Sequence, residues 1–413
     1  MTATTGLIDR EKAVVMQTYG RQPVAFVSGE GSWLTDADGK RYLDCLGGLA
    51  VVSVGHGNPR VAAAVAAQMS LLVHVSNLYF TEPMVLLAER LTMLSGLDRV
   101  FFCNDGATAN EAAIKLARRY GQTLRGPDCY KVVSLHDSFH GRTLATLAAT
   151  GQPAKQATFA PLPTGFHQVE AGDMGALEAT LDADTAAVLL ETVQGEGGVI
   201  PLDPDYLKAV RRLCDETGTL LIFDDVQAGI GRTGEWFSWQ SLGLEPDIAT
   251  IAKALANGLP IGACLATEKV ATAFRPGDHA TTFGGGPVVC AAALAVLDEI
   301  EDRQLLENCK ARSEQLRAGL ESLPGVVEVR GRGLLLAAVL DSERAGAITE
   351  SARTLGLIVN AVRPDAVRFA PPLSISAQEV EIAVERFAAA LLFEPTTHHP
   401  PPTTASQRRA AHA

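Results

Sequence analysis

Two charged side chains stand where apolar runs stop. Leu220 to Phe223 is an unbroken apolar run that ends on Asp224 and Asp225. A run of that kind reads as a strand buried on both faces, as in a parallel sheet. Farther on, Ile248 to Ala252 ends on Lys253, with Ala254 and Leu255 directly behind it. Most lysines lie on polar surfaces, so an amine in apolar surroundings calls for a reason. The interval between the two residues roughly fits one βαβ unit, and open α/β sheets collect their chemistry outside the carboxyl ends of the strands. An acid and an amine would then enter one crevice. The amine can form a Schiff base, and the acid can keep a pyridine nitrogen protonated. That is the pair pyridoxal-phosphate chemistry requires. A strand-end Asp that merely caps the following turn has the same sequence.

Other segments offer parts for such a site. CNDGATANEAA, residues 103–113, follows a strand and opens a helix. Backbone N–H groups of Gly106, Ala107 and Thr108 are candidates for a phosphate at that helix start. A turn capped by Asp105 is the plainer reading. In HDSFHGRTLATLAATG, residues 136–151, Phe139 is a candidate to stack on a ring and Arg142 to grip a carboxylate by its fork. Glu196 lies in a glycine-rich loop, and Arg368 stands just before Pro371 and Pro372. A core Phe, a surface Arg and a plain loop acid would look no different. Thr281 and Thr282, in TTFGGGP, carry hydroxyls that suit phosphate oxygens, or else belong to a linker.

The elements that would position these residues alternate. RVFFC, YKVVSL, AAVLL and TLLIF read as strands. MVLLAERLTML, TANEAAIKLARRYG (closed by Gly121) and DPDYLKAVRRLCDETG read as helices. The alternation predicts an α/β protein with a doubly wound, mainly parallel sheet flanked by helices. Before it, residues 1–12 read as frayed, and tight turns near Gly29–Gly31 and Asp38–Gly39 join short antiparallel strands. Asn58 is the expected cap of a helix from Pro59. After a largely helical stretch over 288–320, VVEVRGRGLLLAAVL, LIVNA, VRFAPPL and a last helix from Ala377 predict a smaller α+β domain. The expected division is 1–60 as a segment of the small domain, 61–300 as the large domain, 301–394 as the small domain, and 395–413 as a disordered tail. His398 and His399 fall in that tail and read as solvated rather than metal-binding.

Composition narrows the classes. The 413 residues carry a formal net charge of −12 and no long basic run, which argues against nucleic acid as a partner. Seven scattered cysteines, none in a CxxC spacing, read as reduced core thiols of a cytoplasmic protein, not a disulfide frame or a zinc site. The first residues lack a secretory pattern, and no apolar run approaches the ~20 residues that a membrane span needs. No GxGxxG follows a strand early in the chain, so a dinucleotide site is not expected.

Taken in order, these segments resemble the class III, fold-type I pyridoxal-phosphate aminotransferases over roughly residues 14–392, and among them the acetylornithine type. The shared text includes DADGKRYLDCLGGLAV, FFCNDGATANEAAIKLAR, FHGRT, VQGEGGV, GIGRTGEWF, GLPIGACLAT, TTFGG and RFAPPL. The resemblance implies that Lys253 forms the Schiff base, Asp224 pairs with the pyridine nitrogen, Gln227 bonds the ring oxygen and Phe139 stacks on the ring. It further implies that the turn at Asp105, Gly106 and Ala107 binds the phosphate, with Thr282 reaching in from a second subunit. Arg142 would take the α-carboxylate of an ornithine-type donor. Arg368 would receive the carboxylate of 2-oxoglutarate, and Glu196 would pair with Arg368 as a gate between the two substrates. A homodimer with composite sites follows from the same resemblance, as does transfer of a δ-amino group from N-acetylornithine. A paralogue acting on ornithine, lysine, 4-aminobutyrate or another ω-amine is the alternative, and an inactive cofactor-binding relative a remote one. The chain departs from the usual pattern at Asp105, Asp225, Ala228, Thr192, Val52, Gly286 and Ala254 to Asn257.

Overall fold

The computed structural model describes residues 2–392. Its centre is a seven-stranded sheet in the order Arg99–Cys103, Gly262–Ala266, Ile248–Ile251, Leu220–Asp224, Thr185–Leu190, Lys131–Leu135 and Phe166–Val169. Five of these strands run parallel through four consecutive pairings, from Ile248–Ile251 to Phe166–Val169. Gly262–Ala266 is antiparallel to both its neighbours. Every residue of Thr185–Leu190 and Leu220–Asp224 is buried, which is why both read as continuous apolar text. The helix Gly106–Arg125 covers the sheet with a small-residue face that includes Ala109, Ala112, Ala113 and Ala117. On the chain's other elements, Asn58 caps the helix Pro59–Leu71 by accepting from the Val61 amide.

The α+β part at the C-terminal end is a four-stranded sheet in the order Val326–Arg332, Leu335–Leu340, Ala366–Phe369 and Asn360–Arg363. The helices Leu305–Glu321 and Ala377–Leu392 pack together beside it. Three N-terminal strands, Phe26–Glu30, Trp33–Asp36 and Arg41–Asp44, join this end of the chain by parallel pairing of Leu43 with Leu357.

Three local expectations fail. Residues 3–14 are a helix, because Thr2 accepts from the Thr5 amide and the Ala3 amide donates to Asp38 at 2.9 Å. The helix expected to stop at Gly121 continues to Arg125 and ends at Gly126, whose φ is 105°. Gly121 serves close packing instead: a Cβ there would meet Cys129 Sγ at 2.7 Å. Between Leu220–Asp224 and Ile248–Ile251 the crossover is turns and one short 3-10 helix, Gln240–Leu242, rather than an α-helix. Among the described residues no helix is long and apolar enough to cross a membrane. The tail expected over 395–413, with His398 and His399, lies outside the described residues.

The topology gathers chemistry at one edge. Asp224 ends its strand, Glu191 follows Leu190, His136 follows Leu135, Asn104 follows Cys103 and Lys253 lies two residues beyond Ile251. The strands bearing them run in one direction, so all five leave the sheet on the same side.

Candidate active site

A cavity of about 390 Å³ opens at that edge. Asp224, Lys253, Gln227, Phe139, Arg142, Glu196, Asp105, Gly106 and Ala107 all line it. Nine of the positions singled out in the sequence are thus brought together. Arg368 lies just behind, bonded to Glu196. Thr282 does not line this cavity; it borders two others with Gly284–Gly286 and Phe283.

Asp224 is buried, at 5 % exposure, and both of its carboxylate oxygens are hydrogen-bonded. One oxygen accepts from Asn110 Nδ2 at 2.7 Å and pairs with His140 Nδ1 at 2.8 Å. The other accepts from the Val226 amide at 3.1 Å. Asn110 is held in turn, since its carbonyl accepts from Thr250 Oγ1 at 2.7 Å. Thr250 sits on the strand next to Asp224, in direct register with it.

Lys253 has a φ of 34°, a backbone region that non-glycine residues occupy at a cost of order 1–3 kcal/mol. Burial lowers the pKa of its amine; Glu196 raises it, Arg368 lowers it, and Asp224 and Glu191 raise it. Burial prevails, so the neutral amine is favoured more than in an ordinary lysine.

The acid end of the cavity is a network. Arg368, 1 % exposed, gives Nη1 to Glu196 Oε1 at 2.5 Å and to Gln227 Oε1 at 3.3 Å, and Nε to Asn360 Oδ1 at 3.0 Å. Burial alone would raise the Glu196 carboxyl, but Arg368's attraction and hydrogen bond outweigh it and hold the pKa below its ordinary value. Gln227 Nε2 also reaches Glu196 at 3.4 Å. Arg142 is exposed and lies over the Phe139 ring at 5.7 Å, with Lys155 at 5.4 Å from the same ring.

The helix start holds a carboxylate where an anion would approach. Asp105 accepts from the Thr108 amide at 2.8 Å, and Thr108 Oγ1 returns a bond from the Asp105 amide at 3.1 Å. This capping box is the plainer of the two sequence readings, and it takes Thr108 out of the candidate phosphate donors. The amides of Gly106 and Ala107 remain, because the first turn of a helix has no carbonyl to offer them. Gly106 is required there: a Cβ would meet Val226 Cγ1 at 2.6 Å. The residues therefore fit pyridoxal phosphate: a buried, hydrogen-bonded carboxylate, an amine of lowered basicity, a ring-sized aromatic wall and two free amides at a helix N-terminus.

Asn110, His140 and Glu191 were not singled out in the sequence. Glu191 is buried, accepts from the amides of Phe139 at 3.0 Å and Gly195 at 3.3 Å, and has its carboxyl pushed by burial up to about 7. It carries the same signal as Asp224, an acid straight after an apolar strand. His140 and Asn110 had no such mark, since their value lies in what the fold sets opposite them.

Asp225 points the other way. Its carboxylate accepts from the Ser238 amide at 3.0 Å and bonds the Ser238 hydroxyl. Burial raises this carboxyl from 3.8 to about 7, against the Ser238 bonds and with Asp224. Between those values the folded protein keeps a proton that the unfolded chain has released. Its stabilisation is full below the lower value and is lost as pH rises through the upper one. Melting temperature measured from about pH 5 to about pH 8 is expected to fall less steeply in Asp225→Asn than in the parent. Equal slopes would contradict the assignment.

Residues 15–391 match the family model described as aminotransferase class-III. The chain is 50 % identical over 375 residues to the acetylornithine aminotransferase of Gloeobacter violaceus, covering 90 % of this chain and 94 % of that one. Among solved structures, the N-acetylornithine aminotransferase of Stenotrophomonas maltophilia matches at 36 % identity with a TM-score of 0.81, covering 93 % and 98 % of the two chains. The ornithine aminotransferase of Toxoplasma gondii matches at 32 % identity with a TM-score of 0.91, covering 95 % and 96 %. With the match running through the central sheet, the cavity and the C-terminal sheet alike, the chain belongs to the class-III aminotransferases.

Proposed function

We infer that the protein is a pyridoxal-phosphate-dependent aminotransferase that moves the δ-amino group of N-acetylornithine to 2-oxoglutarate, a reaction of arginine biosynthesis. The observation that supports it most is the convergence of Lys253 and Asp224 on a cavity that ends at the Glu196–Arg368 pair. Pyridoxal phosphate, when bound, supplies an aldehyde that exchanges amines and a ring that withdraws electrons. Lys253 would hold the cofactor, and its amine is the base that would carry the proton lost from the δ-carbon of the donor. Asp224 keeps the ring nitrogen protonated, and Gln227 bonds the ring oxygen. Phe139, on the cavity wall, would stack on the ring. Gly106 and Ala107 bind the phosphate through their amides.

Arg142 takes the donor's α-carboxylate. Arg368 takes the acceptor's second carboxylate, and Glu196 masks that guanidinium while the donor is bound. One carrier serving both substrates makes the cycle ping-pong. The site is completed by a second copy of the chain, from which Thr282 approaches the phosphate. Supporting this homodimer, Leu71, Leu78, Tyr79, Phe80 and Phe283 leave large apolar side chains exposed. Seven buried free cysteines fit a reducing cytoplasm.

A donor panel of N-acetylornithine, ornithine, lysine and 4-aminobutyrate with 2-oxoglutarate tests the assignment. N-acetylornithine is expected to give the highest kcat/KM by roughly tenfold or more. Turnover of another donor without it would instead establish the wider ω-amine reading. Silence with all four would favour a binding protein.

Asp105 gives a second test. Asp105→Asn keeps a capping oxygen and removes a negative charge beside the proposed phosphate. The cofactor dissociation constant, from spectral titration at low salt, is expected to fall about three- to tenfold. An unchanged or higher constant would contradict the phosphate placement.

A further inference from the structure

The turn that carries Glu196 is held from the C-terminal sheet by two arginines other than Arg368. Arg363 Nε donates to the Gly197 carbonyl at 2.5 Å, and its Nη2 pairs with Asp137 at 2.6 Å. Arg330 Nε donates to the Gly198 carbonyl at 2.8 Å. The turn is shaped for this. A Cβ on Gly198, whose φ is 117°, would meet Arg363 Nε at 2.7 Å and Arg330 Nη2 at 2.8 Å. A Cβ on Gly197 would meet the Asp137 carbonyl at 2.8 Å. Glycines here admit the guanidinium groups to the backbone immediately after Glu196.

Arg363 and Arg368 belong to one antiparallel ribbon. Asn360 stands opposite Arg368, and Arg363 opposite Ala366. Asn360 orients Arg368 from the same strand that ends in Arg363. Asp137, with a left-handed φ of 62°, opens the loop that goes on to Phe139 and Arg142. A single side chain thus touches both the loop of the donor-side arginine and the turn of the acceptor-side acid. None of these contacts reaches the cavity itself.

We propose that Arg363, joined to Asp137 and helped by Arg330, is a positioning residue that latches Glu196 onto Arg368 and so sets how readily an acceptor's carboxylate is admitted. This rests on the reading of Glu196 and Arg368 as the gate. With the Gly197 carbonyl released, the turn loses the support that keeps Glu196 over the guanidinium. The closed pair becomes less populated, and a dicarboxylate meets an open Arg368 more often. Acceptor binding tightens, while donor binding gains nothing.

The test uses the cofactor-loaded enzyme and glutarate, an unreactive five-carbon dicarboxylate, with its dissociation constant measured by calorimetry. Arg363→Met is expected to tighten glutarate about fivefold, within the range that remote contacts contribute to coupling, and Asp137→Asn about twofold, just below it. In steady state, the KM for 2-oxoglutarate is expected to fall while the donor KM does not. A merely structural role would raise both together. Glu196→Gln is the control: it must tighten glutarate if the gate exists at all. If it does so and neither latch variant does, the latch is refuted and the gate stands. If Glu196→Gln itself fails to tighten glutarate, the gate is refuted and the latch with it. Should Arg363→Met not fold, Asp137→Asn decides alone.

Discussion

Lys253→Ala is expected to lower turnover by at least roughly 10⁴-fold and to leave the protein folded. The loss is that large because two duties end together. In the proposed role, the anchor for the cofactor goes, and so does the base at the donor carbon. Among the described residues no second amine lines the cavity to replace it: Lys155 lies over the Phe139 ring but is not part of the cavity wall. The fold should tolerate the change. Ala at a φ of 34° is no more strained than Lys, and removing the amine removes a buried group whose charged form was disfavoured. The melting temperature is expected to stay within about 3 °C, as measured by circular dichroism. Substantial residual turnover would contradict the role, and a collapsed fold would leave the loss of activity explained by instability instead.

Asp224→Asn carries the second large effect, about 10³-fold on kcat/KM together with a measurable loss of stability. The substitution preserves shape and breaks the charge balance. Asn110 Nδ2, His140 Nδ1 and the Val226 amide all converge on Asp224 oxygens. An amide offers one oxygen and adds donors of its own. Asn110 cannot turn over, because Thr250 fixes its carbonyl. His140 can yield by moving its proton to Nε2, an atom that is buried and has no hydrogen-bond partner among the described residues. One relief out of two conflicts places the stability loss at about 2 kcal/mol, below that of stranding a buried charge. Chemical denaturation of the cofactor-free variant would check it. A variant of equal stability and near-normal kcat/KM would show that the charge of Asp224 is not used.

How far the sequence could be read depended on the distance over which each signal acts. The buried strands announced themselves because both faces of Leu220–Asp224 are covered, leaving no polar residue to interrupt the run. Lys253 stood out by its apolar neighbours. The pairing of Glu196 with Arg368 had no local mark, since the residues meet only when the C-terminal ribbon folds back over the central sheet; it came from resemblance to the family. Asn110 looked like an ordinary helical Asn until the neighbouring strand placed Thr250 and Asp224 around it. Gly121 was misread because a glycine at a helix end and one inside a helix are alike until something packs against it. Here Cys129 and Ala186 do. The missing crossover helix has a similar cause, for the glycines and aromatic residues of 229–239 fold into turns that pack Phe237 and Trp239 into the core.

The central claim is that the amine of Lys253 meets the cofactor in the cavity closed by Asp224. Borohydride reduction of the cofactor-loaded protein makes that bond permanent, and peptide mass spectrometry then locates the added pyridoxyl mass. It is expected on the peptide containing Lys253. Finding it on Lys155 or any other lysine, with Lys253 unmodified, would contradict the account.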